Sequence, residues 1–170
     1  MSPHRRADSA TATALQIIAP EVRLQRITEA SSRRLAELAR LDREAFGPAG
    51  LRVYELGMML TAGIVMEARL TDGRYVGGCQ LMRMCETPEI LWIVGIYVVP
   101  EWQGRGVGGE FLRSIIDTLP LYAASGLRLS VDAENTAAVR LYESSGFRLV
   151  DEVCEFYGDG EDRLIMQFNR

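Results

Sequence analysis

The spacing of hydrophobic and polar residues changes period several times along the chain. Residues 21–27 alternate, with Val22, Leu24 and Ile27 apolar among charged neighbours, which predicts a first strand. Ser31 is a good N-cap. After it, Leu35, Leu38, Ala39, Leu41, Ala45 and Phe46 recur at helical intervals until Gly47-Pro48. Val53, Leu56 and Met59 predict a second, short helix over about 51–60, weakened by Gly57. Residues 63–70 and 74–84 read as two strands joined around Asp72-Gly73. The Gly77-Gly78 pair predicts a bulge or a close backbone approach. A loop at 86–89 precedes the apolar run 91–99, which Pro100 stops. Polar residues and glycines follow, then Phe111, Leu112, Ile115, Ile116 and Leu119 at helical spacing. Leu127, Leu129 and Val131 alternate as a strand. Asn135 is placed to cap a helix over 136–145 that Gly146 ends. Phe147, Leu149 and Val153 predict a further strand, and 164–168 the last, after Gly158-Asp159-Gly160.

The predicted order is β-α-α-β-β-β-α-β-α-β-β. It implies an α/β (α+β) fold with a mixed sheet of about seven strands flanked by about four helices. The longest apolar strand lies mid-chain, as expected of a central strand covered on both faces. There is no internal repeat or linker, and 170 residues suit one domain. Residues 1–18 are expected to be a disordered tail and 19–170 a single domain.

Composition narrows the function classes. Hydrophobic residues make up 48% of the chain and charged residues 25%, enough for an ordinary core. A net charge of −4 argues against a nucleic-acid partner. All 19 basic residues are arginine, which points to genomic base composition rather than to a function. Cys79, Cys85 and Cys154 are scattered with no CxxC pair, so they read as free thiols in a reducing cytoplasm, with no metal site. The only histidine, His4, sits in the polar tail, which makes a Ser-His-Asp triad or a Cys-His pair hard to build. The longest apolar run, 90–99, is about half the ~20 residues of a membrane span. Residues 1–14 have no apolar stretch of the kind a secretory signal needs. A cytoplasmic protein is expected.

Two stretches could carry chemistry. The first is strand, glycine-rich turn and helix over 91–116, with Gln103-Gly104-Arg105-Gly106-Val107-Gly108 followed by Gly109. Glycines can aim successive N–H groups at one spot, and the helix start adds unpaired amides and the positive end of its dipole. Together they would suit a diphosphate-like anion. The Lys-Ser/Thr of a P-loop is absent. GxGxxG fits Gly104, Gly106 and Gly109, but far from the first βα turn where a dinucleotide fold carries it. A turn that merely lets helix and strand pack closely is the competing reading. The second stretch is 131–147, where Ala138 and Tyr142 share a helix face behind Asn135. Small Ala138 leaves room along that face, and Tyr142 carries a hydroxyl that can donate a proton. A core tyrosine with a satisfied hydroxyl and a plain Asn135 cap are the structural alternatives.

Together the stretches IYVVPEWQGRGVGGEFL and ENTAAVRLYESSGF resemble the GCN5-related N-acetyltransferase (GNAT) superfamily over about residues 92–150. The first resembles its acyl-CoA motif, Gln/Arg-x-x-Gly-x-Gly, at Gln103, Gly106 and Gly108. The second resembles the motif of Asn, Ala, Tyr and Gly-Phe that follows it. The resemblance implies a mixed, mostly antiparallel sheet whose central strand and the next one splay apart, with the acyl group in the gap and Gly95 a reasonable place for a bulge. It implies acetyl-CoA as co-substrate. Backbone groups of Ile96, Tyr97 and Val98 would pair with the pantetheine arm, and the amides of Gln103, Gly104, Arg105, Gly106, Val107, Gly108 and Gly109 would hold the pyrophosphate. Asn135 and Ala138 would line the pantetheine path, and Tyr142 would be the general acid near the sulfur. An amide near Val98 would meet the oxyanion.

The base is where the chain departs from known subfamilies. Histone-type enzymes place a glutamate where Trp92 stands, and enzymes acting on ribosomal-protein N-termini place one where Ser130 stands. Glu55, Glu67 and Glu89 remain as candidates, each with an ordinary reading as a surface carboxylate, and a water chain serves equally well. The expected function is direct acyl transfer to an amine of a small molecule or peptide. The acceptor pocket would come from about 40–60 (with Arg43, Glu44, Arg52 and Glu55), strand 75–84 and turn 158–162. A homodimer is compatible with this reading, and no metal, membrane or nucleic acid is called for. A non-catalytic acyl-CoA sensor is the alternative from another class. A nucleotide-binding domain is a third.

Overall fold

The structure is a computed structural model that describes residues 21–170. The expected tail, His4 included, lies outside the described residues. The Ser31 side chain accepts from the Arg34 amide at 3.2 Å and opens α1, Ser32–Phe46, which stops at Gly47 with φ +60°. Around it lie β1 (Val22–Ile27), α2 (Val53–Ala62), β2 (Ile64–Leu70), β3 (Tyr75–Arg83), β4 (Ile90–Val98), α3 (Val107–Thr118), β5 (Gly126–Val131), α4 (Thr136–Ser144), β6 (Arg148–Val153) and β7 (Arg163–Asn169). Element types and order are those the sequence predicts, with ends moved by one or two residues.

One seven-stranded sheet runs β1-β2-β3-β4-β5-β7-β6. Every pairing is antiparallel except β4 with β5. One face packs against α3 and α4, where Phe111, Leu112 and Ile115 meet Cys79, Leu81, Leu91, Leu127 and Leu129 in the main core. The other is covered by α1 and α2 through a smaller cluster of Leu38, Ala39 and Leu56. Buried Asp42 ties these layers together: Oδ2 accepts from the Leu51 amide at 2.6 Å and Oδ1 from Gln80 Nε2 at 2.9 Å. Burial pushes its carboxyl above the usual range, and the two donors oppose that push.

Gly77-Gly78 marks a close approach, with a bulge beside it on the β2 side: Ala68 faces Gly77 but Arg69 faces Tyr75, which leaves Val76 as the extra residue. A Cβ at Gly77 would lie 1.9 Å from the Tyr97 carbonyl oxygen, and one at Gly78 would meet the Tyr97 ring at 2.8–3.0 Å. A second bulge, between β3 and β4, comes where Gln80 faces Gly95 but Leu81 faces Ile93, which leaves Val94 as the extra residue beside Gly95. The central strand is also less covered than its apolar run suggests. Trp92, Val94, Gly95, Ile96 and Val98 are half-buried, because β4 loses one of its neighbours partway along.

Candidate active site

That loss creates the site. β4 pairs with β3 from Leu91 to Val98, but with β5 only over Ile90–Gly126, Leu91–Leu127 and Trp92–Arg128. Beyond Trp92 the two parallel strands diverge, and among the described residues no strand lies beside this edge of β4 from Ile93 onward. Unpaired backbone groups along a buried edge need a partner, and an extended amide-bearing ligand can supply one as an added strand does.

At the open end of this gap the chain turns through Pro100–Trp102 into the glycines. Trp102 anchors the turn: its indole N–H donates to the Tyr75 carbonyl at 3.1 Å, and the Arg74 and Arg105 guanidinium groups lie over its ring at 4.6 and 5.3 Å. Gly104 (φ +71°) and Gly106 (φ +76°) take left-handed backbone that other residues reach at a cost of about 1 kcal/mol or more. Gly106 is the N-cap of α3 and brings no side chain to satisfy the helix's first amides, so those amides stay available. Gln103 Nε2 donates to the Val98 carbonyl at 2.8 Å, which joins the turn to the strand it leaves.

α4 forms the facing wall. Asn135 Oδ1 accepts from the Ala138 amide at 3.2 Å and sets the helix start. Tyr142 is 8% exposed, with its ring tilted against Phe147 at 5.5 Å. Among the described residues nothing hydrogen-bonds its hydroxyl, and that oxygen is not one of the fully buried unpaired atoms. Burial pushes it up to about 12, with Cys79 nearby adding to the shift. It is a protonated, unpartnered donor across the working pH range.

A single cleft of about 610 Å³ brings together Ile96, Tyr97, Val98, Gln103, Gly104, Gly108, Asn135, Ala138 and Tyr142. Four residues proposed from the sequence do not line it. Arg105 lies over Trp102, Gly106 serves as the helix cap, Val107 is fully buried in the core, and Gly109 faces Leu141. The cleft also takes in Ala45, Phe46, Ala137 and Leu141. The last two sit four apart on α4 beside the Ala138–Tyr142 pair, a spacing that could have indicated them. Nothing local indicates Phe46, which packs edge-on to Tyr97 at 5.8 Å. A larger cavity, about 990 Å³, opens at the α1–α2 corner beside Arg40, Arg43, Arg52 and Tyr54 and shares no lining residue with the cleft.

The candidate bases separate. Glu67 is not a surface carboxylate: it is 5% exposed and held by Arg34 and by Arg69 Nε at 2.8 Å, since its place on β2 faces both arginines. Glu55 is half-buried, and its hydrogen bond to Arg52 holds its carboxyl below the usual range. Glu89 is exposed in the loop before β4. At the matched positions, Trp92 stacks on Phe156 (6.1 Å) and the Ser130 hydroxyl is 2.9 Å from that of Tyr157.

Comparison with known proteins gives the same picture. Residues 29–147 match the family described as Acetyltransferase (GNAT) family. The N-alpha-acetyltransferase RimI of Mycobacterium tuberculosis is 39% identical over 100 residues, 57% of this chain and 61% of that protein. The [ribosomal protein bS18]-alanine N-acetyltransferase of Escherichia coli K12 is 39% identical over 77 residues, 44% of this chain and 52% of that one. The chain thus spans less than two thirds of the length of these curated relatives. A Bacillus subtilis acetyltransferase solved in complex with CoA shares the fold at a TM-score of 0.71 and 18% identity, over 88% of this chain and 99% of that one. No helix among the described residues is long and apolar enough to cross a membrane. With its larger part matched and its sheet opened where the two motifs meet, the chain belongs to the acetyltransferase (GNAT) family.

Proposed function

We propose that the protein is an N-acetyltransferase that moves an acetyl group from acetyl-CoA directly to an amine of a small molecule or peptide, within one ternary complex. One observation carries the reading: the unpaired edge of β4, the left-handed Gly104 of the turn before α3 and Tyr142 all line one cleft. That cleft suits a long ligand with an anionic end, an amide-bearing arm and a reactive tip. The names of the relatives, which act on protein N-termini, agree with it.

Acetyl-CoA supplies an activated thioester. The chain would supply the rest. The first amides of α3 and the turn before it would hold the diphosphate. Ile96–Val98 would align the arm, with the Val98 carbonyl giving up its bond to Gln103 where the ligand offers a better donor. A lysine-like amine, pKa ~10.4, must lose a proton before it attacks. The leaving thiolate has a conjugate acid near pKa ~8.5, and Tyr142 would return the proton to it. Glu55 and Glu67 are engaged by arginines, so the proton leaving the amine is better routed through water or through the Ser130–Tyr157 pair. The cysteines and the buried Asp42 have no part in this scheme.

The test begins with binding. Acetyl-CoA at about 100 times its Kd should stabilise the protein by about 2.7 kcal/mol, a rise of several degrees in Tm for a domain of this size. CoA release should then depend on an added amine. Stabilisation by ATP or NAD with none by acetyl-CoA would overturn the assignment. Binding without turnover on a broad amine panel would make the protein a sensor.

A further inference from the structure

We infer that the acceptor is a primary amine bearing a large apolar or aromatic group next to its amino carbon, selected by Met82, Trp92, Phe156 and Tyr157. The inference rests on the acetyl-transfer reading and deepens it.

The sheet register places the first part of this wall. Met82 is opposite Trp92, and Trp92 is opposite Arg128, so the three form one row across β3, β4 and β5 at the point where the gap begins. Residues opposite one another share a sheet face, and Ser130, two along from Arg128, shares it too. The β6–β7 turn folds over this row. Phe156 stacks on Trp92 with planes 17° apart, Phe156 and Tyr157 meet edge-on at 4.6 Å, and Tyr157 bonds Ser130. The turn is pinned: Glu155 holds a left-handed φ of +53°, its amide donates to Asp162 Oδ1 at 2.8 Å, and the Glu161 amide donates to the Gly158 carbonyl at 2.9 Å. The aromatic pair is therefore a fixed wall.

These side chains are not core. Met82 is 45% exposed, Phe156 37% and Tyr157 59%, and none belongs to either hydrophobic cluster. Large apolar side chains held open together mark a binding surface. Across from them stands Phe46, itself partly exposed and seated over the bulge, where a Cβ on Gly95 would meet its ring at 3.0 Å. Trp92 and Gly95 are three residues apart along β4, about 10 Å at strand rise. An amine that reaches the thioester end of the cleft from this face must place its substituent between the two aromatic walls.

The polar groups on the same face are partly engaged. Arg128 Nε donates to Gln167 Oε1 at 2.7 Å, Ser130 is bonded to Tyr157, and Gln80 Nε2 donates to Asp42, while Gln80 Oε1 has no partner among the described residues. The row of Met82, Trp92, Arg128 and Ser130 thus carries one positive charge, on an arginine bonded to a neutral amide, and no negative charge to hold a polyamine's second ammonium. Among uncharged acceptor side chains, apolar contact is what remains to discriminate, and in enzyme pockets such contact gives tenfold to a few hundredfold selectivity.

The test uses the full chain with acetyl-CoA and the amides of glycine, leucine, phenylalanine and glutamate, plus spermidine. The amino-acid amides present similar amines and differ mainly in the side chain. The expected result is a kcat/KM at least tenfold higher for the leucine and phenylalanine amides than for the glycine amide, with the glutamate amide below the leucine and phenylalanine amides and spermidine below all the amides. Phe156→Ser and Met82→Thr should each cut that preference to less than threefold, with the acetyl-CoA-induced rise in Tm unchanged. A change in the ratio between substrates is a readout that a merely structural role would not move. Equal rates across the amides, preference for spermidine or glutamate, or no turnover of any amide by protein that acetyl-CoA stabilises would each overturn this inference alone. Failure of acetyl-CoA to stabilise the protein would overturn the reading beneath it as well.

Discussion

The two edges of β4 meet opposite fates. On the β3 side the contact is closed along the strand, so tight that Gly77 and Gly78 have no room for a Cβ against Tyr97. On the β5 side three residue pairs form and then the strands part. The closed edge is a matter of packing, and its residues are fixed by neighbours. Among the described residues, the open edge has no partner strand beyond Trp92, the Tyr142 hydroxyl has no hydrogen-bond partner and the first amides of α3 have no side-chain cap. The same strand therefore serves stability along one side and chemistry along the other, and each side should respond to mutation in its own currency.

The largest effect is expected on the closed edge. Gly77→Ala would drive a Cβ into the Tyr97 carbonyl at 1.9 Å, where backbone cannot yield cheaply. A loss of about 3 kcal/mol or more is expected by urea denaturation. A loss under about 1 kcal/mol would show that this edge is looser than its geometry implies.

The open edge comes next. Tyr142→Phe should lower kcat about 100-fold, at the low end for a general acid, and leave the acetyl-CoA-induced rise in Tm in place. The same variant has a pH signature. Burial pushes the folded Tyr142 hydroxyl up to about 12, whereas the unfolded chain has the ordinary tyrosine value of about 10. Between those values the unfolded chain has released a proton that the folded one keeps, so wild-type stability falls as pH rises from about 10 toward 12. Tyr142→Phe lacks that loss. The two proteins should differ by a constant amount below about pH 9, and wild type should fall relative to the variant above about pH 10. Parallel curves throughout would show that the hydroxyl is solvated.

A smaller effect is expected at Gly108, where a Cβ would meet Leu141 at 3.4 Å, an ordinary contact. Gly108→Val should change stability by less than about 1 kcal/mol. The branched side chain would nevertheless fill the cleft mouth and raise the acetyl-CoA Kd about tenfold, as measured by titration calorimetry. Unchanged affinity would move the anion away from this turn.

Much of the open edge was legible because its devices are local. A strand stopped by Pro100, left-handed glycines at Gly104 and Gly106, a helix capped by Asn135 and a tyrosine four residues past Ala138 all depend on dihedrals and spacings within a few residues. The ring of Phe46 over Gly95, the Arg34 guanidinium on Glu67 and the aromatic wall of Trp92 and Phe156 join residues that are 33 to 64 positions apart. The side chains of Arg105 and Val107 show the converse: they sit inside the motif by sequence, yet one is drawn to Trp102 and the other to the core, so only their backbone amides are left for the role proposed for the turn.

By itself, the sequence determined the element order, the helix ends and the two motifs, because periodicity, capping and glycine dihedrals are decided by near neighbours. Only the tertiary structure decided which edge of β4 stays unpaired, which carboxylates are tied to arginines and what faces the acceptor. Those outcomes depend on strand register and on side chains meeting across the sheet, and no spacing along the chain encodes them.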